Sequence, residues 1–276
     1  MSASIVERVL DRLHLPRRVP SHAPLARALA DHARSRRSRT LRVERSGGVR
    51  YRLDTDGFFE LGGEQAPIDD AIVTLCVGRV LDVGAGAGRH ALALQQRGLE
   101  VRAVDVSPIC VDLMRARGVH DARVADVWSL AGADTSAAQR DAGGDAFDTI
   151  LFGMQSIGIV GTVDGLEAML TALARSPGLL APGGQILLDS SAPVGPGFTR
   201  RIEFAAPAGP DANEAVAGES VVRFAYRGWR GDPFEWLYVG SDALRRVAAD
   251  CGFDAEIRVR IEGSPEYLAR LTRIAG

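Results

Sequence analysis

The sequence predicts an α/β fold around a doubly wound, mostly parallel sheet, and three observations predict it. From Gly78 onward, short apolar runs alternate with amphipathic stretches, the pattern of parallel strands joined by right-handed crossovers. The first run passes through Asp82 into a glycine-rich turn and then a helical stretch. The next two runs also end beside an aspartate, Asp105 and Asp126. Strand ends of an open α/β sheet share one edge, so the three acids are expected to meet there.

Ahead of this core, Ile5, Val6, Val9, Leu10 and Leu13 recur at helical spacing until Pro16, and a second short helix is expected from Pro24 to Ala33. Two β-type runs, Thr40 to Glu44 and Val49 to Leu53, flank Ser46-Gly47-Gly48, the composition of a hairpin turn. Asp56 to Asp70 is rich in turn formers and reads as a connection. Core strands are expected at Arg79 to Val83, Glu100 to Val104, Asp121 to Ala125, Phe147 to Phe152 and Gln185 to Asp189. Helices fill the gaps at Arg89 to Arg97, Pro108 to Arg117 and Val163 to Arg175, and Gly98 and Gly118 stand where a helix end needs a left-handed residue. Ala131 to Gly144 lacks an apolar period and reads as an exposed loop.

Ser191 to Gly218 holds several Pro and Gly residues and reads as a long lid loop. Antiparallel strands follow at Ser220 to Tyr226 and Pro233 to Val239, then a helix from Ser241 to Ala249, closed by Gly252, and strands at Phe253 to Ile261 and Glu266 to Thr272. The expected division is an N-terminal cap of helices and a hairpin over 1–67, a core over 68–190, a lid or β insertion over 191–240, and a C-terminal completion of the core over 241–276.

Composition narrows the function classes. The chain's 276 residues are enough to bury a sizeable core without disulfides, and 33 basic against 35 acidic residues give no overall field for nucleic acid or anionic membrane. Cys76, Cys110 and Cys251 are odd in number and far apart, which predicts a reducing, cytoplasmic setting and no metal site. Met1 to Leu15 mixes charges into its apolar positions, so neither a signal peptide nor a membrane span is expected. Arg34, Arg36, Arg37, Arg39 and Arg42 form a local basic run with no interleaved aromatics and read as a solvated face.

The cofactor is read from the glycine turn Gly84-Ala85-Gly86-Ala87-Gly88. A dinucleotide loop prefers Gly-x-Gly-x-x-Gly, whereas here the third glycine comes one residue early and Arg89 follows it. S-adenosylmethionine (SAM) has no phosphate but has an ammonium end, which a carboxylate such as Asp82 favours. Asp105, about twenty residues after the loop, is placed to accept both ribose hydroxyls. Asp126 can meet the adenine amino group while Val127 packs on the ring; Asp126 can equally be a helix cap before Trp128.

These residues resemble the class I SAM-dependent methyltransferases, with LDVGAGAG as first motif, VDVSP as second, ADV as third and LLAPGGQILLDS as the fifth-strand region. GAGAGRHALALQQRG, GMQSIGIVG, PFEWLYV and YLARLT look more closely like a sparsely characterised group of bacterial methyltransferase-domain proteins, which brings no acceptor with it. The chain departs from that group at Gln155, where Asn is usual, and at Ala192, where Asp usually follows the two serines. The resemblance implies a Rossmann-like sheet with an antiparallel last strand, SAM as cofactor, and binding at Asp82, Gly84, Ala85, Gly86, Gly88, Asp105, Val106, Asp126, Val127, Gly153 and Met154.

For the acceptor side, Gly153, Met154 and Ser156 follow the fourth strand, where a plain glycine-rich turn is the competing reading. His90, Tyr226, Trp236 and Tyr238 are the candidate catalytic or acceptor-contacting residues, with packing as the alternative for each. Strand period puts Phe234, Trp236 and Tyr238 on one face and Glu235 on the other, so Glu235 is expected to be solvated. No residue is a compelling base, which favours a nitrogen or already acidic acceptor. The chain lacks the Asn/Asp-Pro-Pro-Tyr/Phe motif of amino-methylating nucleic-acid enzymes and a Pro-Cys nucleophile, so a small-molecule or peptide acceptor is expected. The arginine- and alanine-rich composition is associated with genomes whose methyltransferases tailor specialised metabolites. The alternatives are an NAD(P)-dependent oxidoreductase and a non-catalytic SAM-binding protein.

Overall fold

A computed structural model describes residues 17–132, 146–176, 178–204 and 212–274. The expected first helix around Ile5 to Leu13 and most of the expected loop from Ala131 to Gly144 lie outside them.

The core sheet is built from β4 (Arg79–Val83), β5 (Glu100–Asp105), β6 (Asp121–Val124), β7 (Phe147–Phe152), β8 (Leu180–Ser191), β13 (Phe253–Arg260) and β14 (Glu266–Arg273). Their order is β13-β14-β8-β7-β4-β5-β6. β4 to β8 pair in parallel, and β14 runs antiparallel to both β8 and β13. The direction of the sheet reverses its crossovers between β4 and β7, which opens the crevice where such sheets bind ligands.

Helices α2 (Ala66–Leu75), α3 (Arg89–Gln96) and α4 (Pro108–Arg117) cover one face, where Ile68, Ile72, Leu94, Val111 and Met114 meet Val80, Leu151, Leu187 and Leu268 of the strands. Helices α5 (Val127–Gly132), α6 (Val163–Arg175) and α7 (Ser241–Asp250) belong to the other, where Leu166, Leu170 and Leu244 pack on Ile150, Ile186 and Leu188. The alternation along β8 is the reason: Leu187 faces one layer, Ile186 and Leu188 the other. Gly98 and Gly118 take φ of 83° and 102°, the expected left-handed helix ends.

The remaining strands form a second sheet, which joins the N-terminal segment to the insertion after β8. Its centre is the long β10 (Val216–Tyr226), flanked along one edge by β2 (Thr40–Arg45) and β9 (Arg200–Glu203) and along the other by β11 (Trp229–Gly231) and β12 (Phe234–Val239). β3 (Arg50–Asp54) extends β2, and β1 (Arg17–Val19) runs parallel to β11. Helix α1 (Ala23–Ser35) ties this sheet to the core, with Leu29 and Ala26 on Leu113 and Cys110 of α4 and Ala28 on Leu41.

Three expectations need correction. The turn-rich reading of Asp56 to Asp70 holds as two 3-10 turns, but Ala66 onward is helix α2. Pro67 sits in its first turn and Ile68 and Ile72 lie one turn apart, yet the buried Asp69 interrupts the apolar stripe that periodicity needs. β8 is longer than expected because β7 and β14 both pair along it. The stretch read as a lid loop contains β9 and the start of β10.

Candidate functional site

The glycine turn after β4 is shaped by its own hydrogen bonds. The N–H groups of Gly84 and Ala85 donate to the Val104 carbonyl at 2.9 and 3.1 Å, that of Gly86 to Asp105 Oδ2 at 3.0 Å, and that of Gly88 to the Ala85 carbonyl at 2.7 Å. Gly84, Gly86 and Gly88 all have positive φ, so a side chain at any of them is strained. A diphosphate cradled by such a turn is held by free backbone N–H groups. Here four of them are already spent, which leaves the turn fewer donors for a diphosphate.

The carboxylates line one cavity of about 1020 Å³ at the carboxyl edge of the core sheet. Asp82 is buried, and burial pushes its carboxyl up to about 6 although His90, the Ala91 N–H and Arg89 favour its charge. Asp105, also raised by burial, accepts from the Gly86 and Ser107 N–H groups, one on each oxygen. Each oxygen keeps a lone pair, so the carboxylate can take two adjacent hydroxyls. Asp126 Oδ1 accepts the Trp128 N–H at 3.0 Å, the helix cap that competes with adenine contact, and its Oδ2 remains. Val106 and Trp128 line the cavity while 47% and 38% exposed, apolar surface placed where a flat ring can cover it.

Beyond β7 the floor changes character. Met154 and Gln155 have φ of 54° and 58°, a left-handed pair at two non-glycine residues. Such strain persists where the surroundings enforce it: the Gln155 N–H donates to Asp189 Oδ2 at 2.8 Å, and its side chain donates to Glu266 at 2.9 Å. Ser156 Oγ donates to the Val83 carbonyl at 2.9 Å, locking this turn to the glycine turn. A Cβ on Gly153 would lie 2.6 Å from His90 Nδ1, so only glycine lets the imidazole approach. His90 is itself buried with Nε2 3.0 Å from Asp69, which also pairs with Arg89. Burial alone would raise the Asp69 carboxyl, but the hydrogen bond with His90, the Gly62 N–H and Arg89 hold it below the usual range.

The second sheet closes the cavity from above. Trp236 and Tyr238 line it, as does Phe234, which stands edge-on to Trp236 at 6.0 Å. Trp236 rests on Gly158, where a Cβ would meet the indole at 2.2 Å. Glu235 is exposed, as strand period predicts, although it reaches the cavity rim over Gly161.

Tyr226 is a correction: it lies outside the cavity, packed with Ala28 and Leu41, and its hydroxyl donates to Asp31 at 3.0 Å. β10 leaves the cavity roof before reaching it. Gly88 also lies off the cavity, and its role is local: its Cα faces Val119 and Met114, where a Cβ would be 2.9 and 3.1 Å away.

The set of acceptors therefore fits SAM: a buried acid for an ammonium, a two-lone-pair acid for a ribose, an acid beside exposed apolar residues for adenine. A methyltransferase-domain family model matches residues 80–184. A crystal structure of a SAM-dependent methyltransferase from Bacteroides fragilis, in complex with S-adenosyl-L-homocysteine, is 33% identical, with a TM-score of 0.72 and coverage of 93% of this chain and 98% of that one. The chain belongs to the SAM-dependent methyltransferases. The CcbJ methyltransferase from Streptomyces caelestis, at 18% identity and a TM-score of 0.52 over 80% of this chain and 96% of that one, shares the fold. No curated protein matches the chain.

Several groups of the methyltransferase site escape sequence reading. Asp69 and Gln65 come from α2 and the turn before it, which carry no motif. Asp189 and Glu266 stand two and three strands from the glycine turn and 77 positions apart in sequence, so only the antiparallel pairing of β14 with β8 reveals them as neighbours. The available signal was an acid at the end of an apolar strand, the one already used for Asp82 and Asp105. Among the described residues no cluster of metal-binding side chains occurs, and no helix is long and apolar enough to cross a membrane.

Proposed function

We propose that this methyltransferase modifies a small-molecule acceptor, on nitrogen in preference to oxygen, beneath the lid formed by the second sheet. The observation that carries the reading is the cavity. Its volume of about 1020 Å³ is at or above the roughly 300–1,000 Å³ of a site for one drug-sized ligand. It runs from the cofactor acids to the aromatic lid strand, leaving room for an acceptor beside the cofactor.

When bound, SAM supplies an activated methyl on a sulfonium, whose leaving group is a neutral thioether. In this reading Asp105 takes the ribose hydroxyls, Asp126 and Val127 the adenine with Val106 on its other side, and Asp82 with the turn at Gly84 to Gly86 the amino-acid end. Gly153 and Met154 border the passage toward the acceptor. The protein's contribution is chiefly alignment: Ser156 and Gln155 fix the turn at the methyl's approach, and Trp236 and Tyr238 wall the acceptor and exclude water. His90 holds Asp69 and Arg89 in place and is a positioning residue, because its Nε2 is engaged and its other edge lies on Gly153.

The test is transfer from methyl-tritiated SAM by the purified full chain to pooled low-mass amines, phenols and carboxylic acids, beside a denatured peptide digest and total RNA. Label is expected in the amine pool. Label confined to peptide or RNA would overturn the small-molecule reading.

A further inference from the structure

The floor of the cavity holds one polar group that the cofactor assignments leave unused. Asp189, at the end of β8, is 2% exposed and lines the cavity. Its Oδ2 is occupied by the Gln155 N–H, but Oδ1 is buried with no hydrogen-bond partner. A buried carboxylate oxygen left unsatisfied is costly, and a ligand that donates a hydrogen bond to it recovers that cost.

The neighbouring charges say which ligand. Glu266 stands on the adjacent strand, held by the side-chain amides of Gln65 and Gln155, and its charge is felt at Asp189. Of the arginines that line the cavity, Arg89 is committed to Asp69 and to the carbonyls of Gly57 and Glu60, and Arg45 lies over the Phe198 and Tyr238 rings at the lid. Two acids thus share this end of the cavity, and among the described residues neither is joined to a cation in an ion pair. Across the same cavity stand the rings of Phe234 and Trp236, apolar surface against which an aryl group can pack.

We propose that Asp189, with Glu266 beside it, binds the acceptor nitrogen of an arylalkylamine through the free Oδ1 and removes its proton. This deepens the methyl-transfer reading and rests on it. Asp189 takes one proton from the bound ammonium, leaving a neutral amine and a protonated carboxyl. The nitrogen lone pair then forms the N–CH3 bond as the S–CH3 bond breaks, its electron pair staying on sulfur. The products are the methylated ammonium and the thioether, and the carboxyl returns its proton to solvent on release. Burial, with Glu266 adding to it, pushes the Asp189 carboxyl up to about 7, against the Gln155 N–H and Arg89, which suits proton exchange near neutrality.

The experiment is calorimetric binding of phenethylamine, 2-phenylethanol and 3-phenylpropionate at pH 8 to the full chain saturated with S-adenosylhomocysteine. Phenethylamine should bind at least tenfold more tightly than the alcohol or the acid. Asp189→Asn should abolish that preference while leaving S-adenosylhomocysteine affinity within about twofold, and Glu266→Gln should reduce the preference several-fold. Equal binding of the three probes, or a preference that survives Asp189→Asn, would overturn the proposal. If Asp189→Asn does not fold, Glu266→Gln decides, and an unchanged preference there sinks it. Wild-type protein that fails to bind S-adenosylhomocysteine would remove the methyl-transfer reading as well, whereas cofactor binding without amine preference removes this inference alone.

Discussion

Individual side chains carry unequal shares of the site. Asp105 presents both oxygens to the turn and to the space above it, so Asp105→Ala removes a charged acceptor for two hydroxyls. Each hydrogen bond to a charged group contributes about 1.5–3 kcal/mol, and S-adenosylhomocysteine affinity measured by calorimetry should fall on the order of 100-fold; an affinity within threefold of wild type would refute the ribose assignment. Tyr226 is the opposite case. Its hydroxyl reaches Asp31 and not the cavity, so Tyr226→Phe should cost about 0.5–1.5 kcal/mol in urea unfolding while methyl transfer is unchanged. Aromatic content groups Tyr226 with Trp236 and Tyr238 in the sequence, but it does not reveal where a strand leaves the roof.

Among the elements, the core strands and helices were legible because each is buried on a regular period and closed by a glycine or proline. The bounds of β4, β7, α4 and α6 agree with the residues expected. The elements that were not legible depend on partners distant in sequence. β11 is three residues long and α2 hides an acid among its apolar positions; each exists because another segment covers it. Helix α1 shows what such docking contributes. Leu29 is fully buried against α4 side chains, and Leu29→Ala should cost about 2–5 kcal/mol, read as a lowered midpoint in denaturant. A loss below about 0.5 kcal/mol would mean that α1 does not hold the second sheet on the core. The acids proposed to hold the cofactor were legible too, since Asp82 and Asp105 close strands and Asp126 follows one, whereas Asp189 and Glu266 required the pairing of β8 with β14.

For the molecule as a whole, the same edge that binds ligand weakens the ligand-free fold. Asp82 and Asp189, raised to about 6 and about 7, retain protons in the folded chain that the unfolded chain, near 3.9, has lost. The folded state therefore binds more protons between these values, and stability falls as pH rises from about 4 to about 7. Asp69, Asp121 and Glu44 are shifted the other way; their contribution is complete above their unfolded values and is lost only on stronger acidification. The melting temperature of ligand-free protein should thus decline from pH 5 to pH 8, and Asp189→Asn should flatten the decline. A melting temperature that climbs over this interval would contradict the assignment of buried, uncompensated acids.

Methyl transfer by this chain requires that the carboxyl edge accept a nucleoside that carries no diphosphate. Calorimetric titration of the full chain with S-adenosylhomocysteine and, separately, with NADH tests this most directly. One S-adenosylhomocysteine per chain and no heat of binding from NADH is the predicted result; NADH binding with indifference to S-adenosylhomocysteine would contradict it.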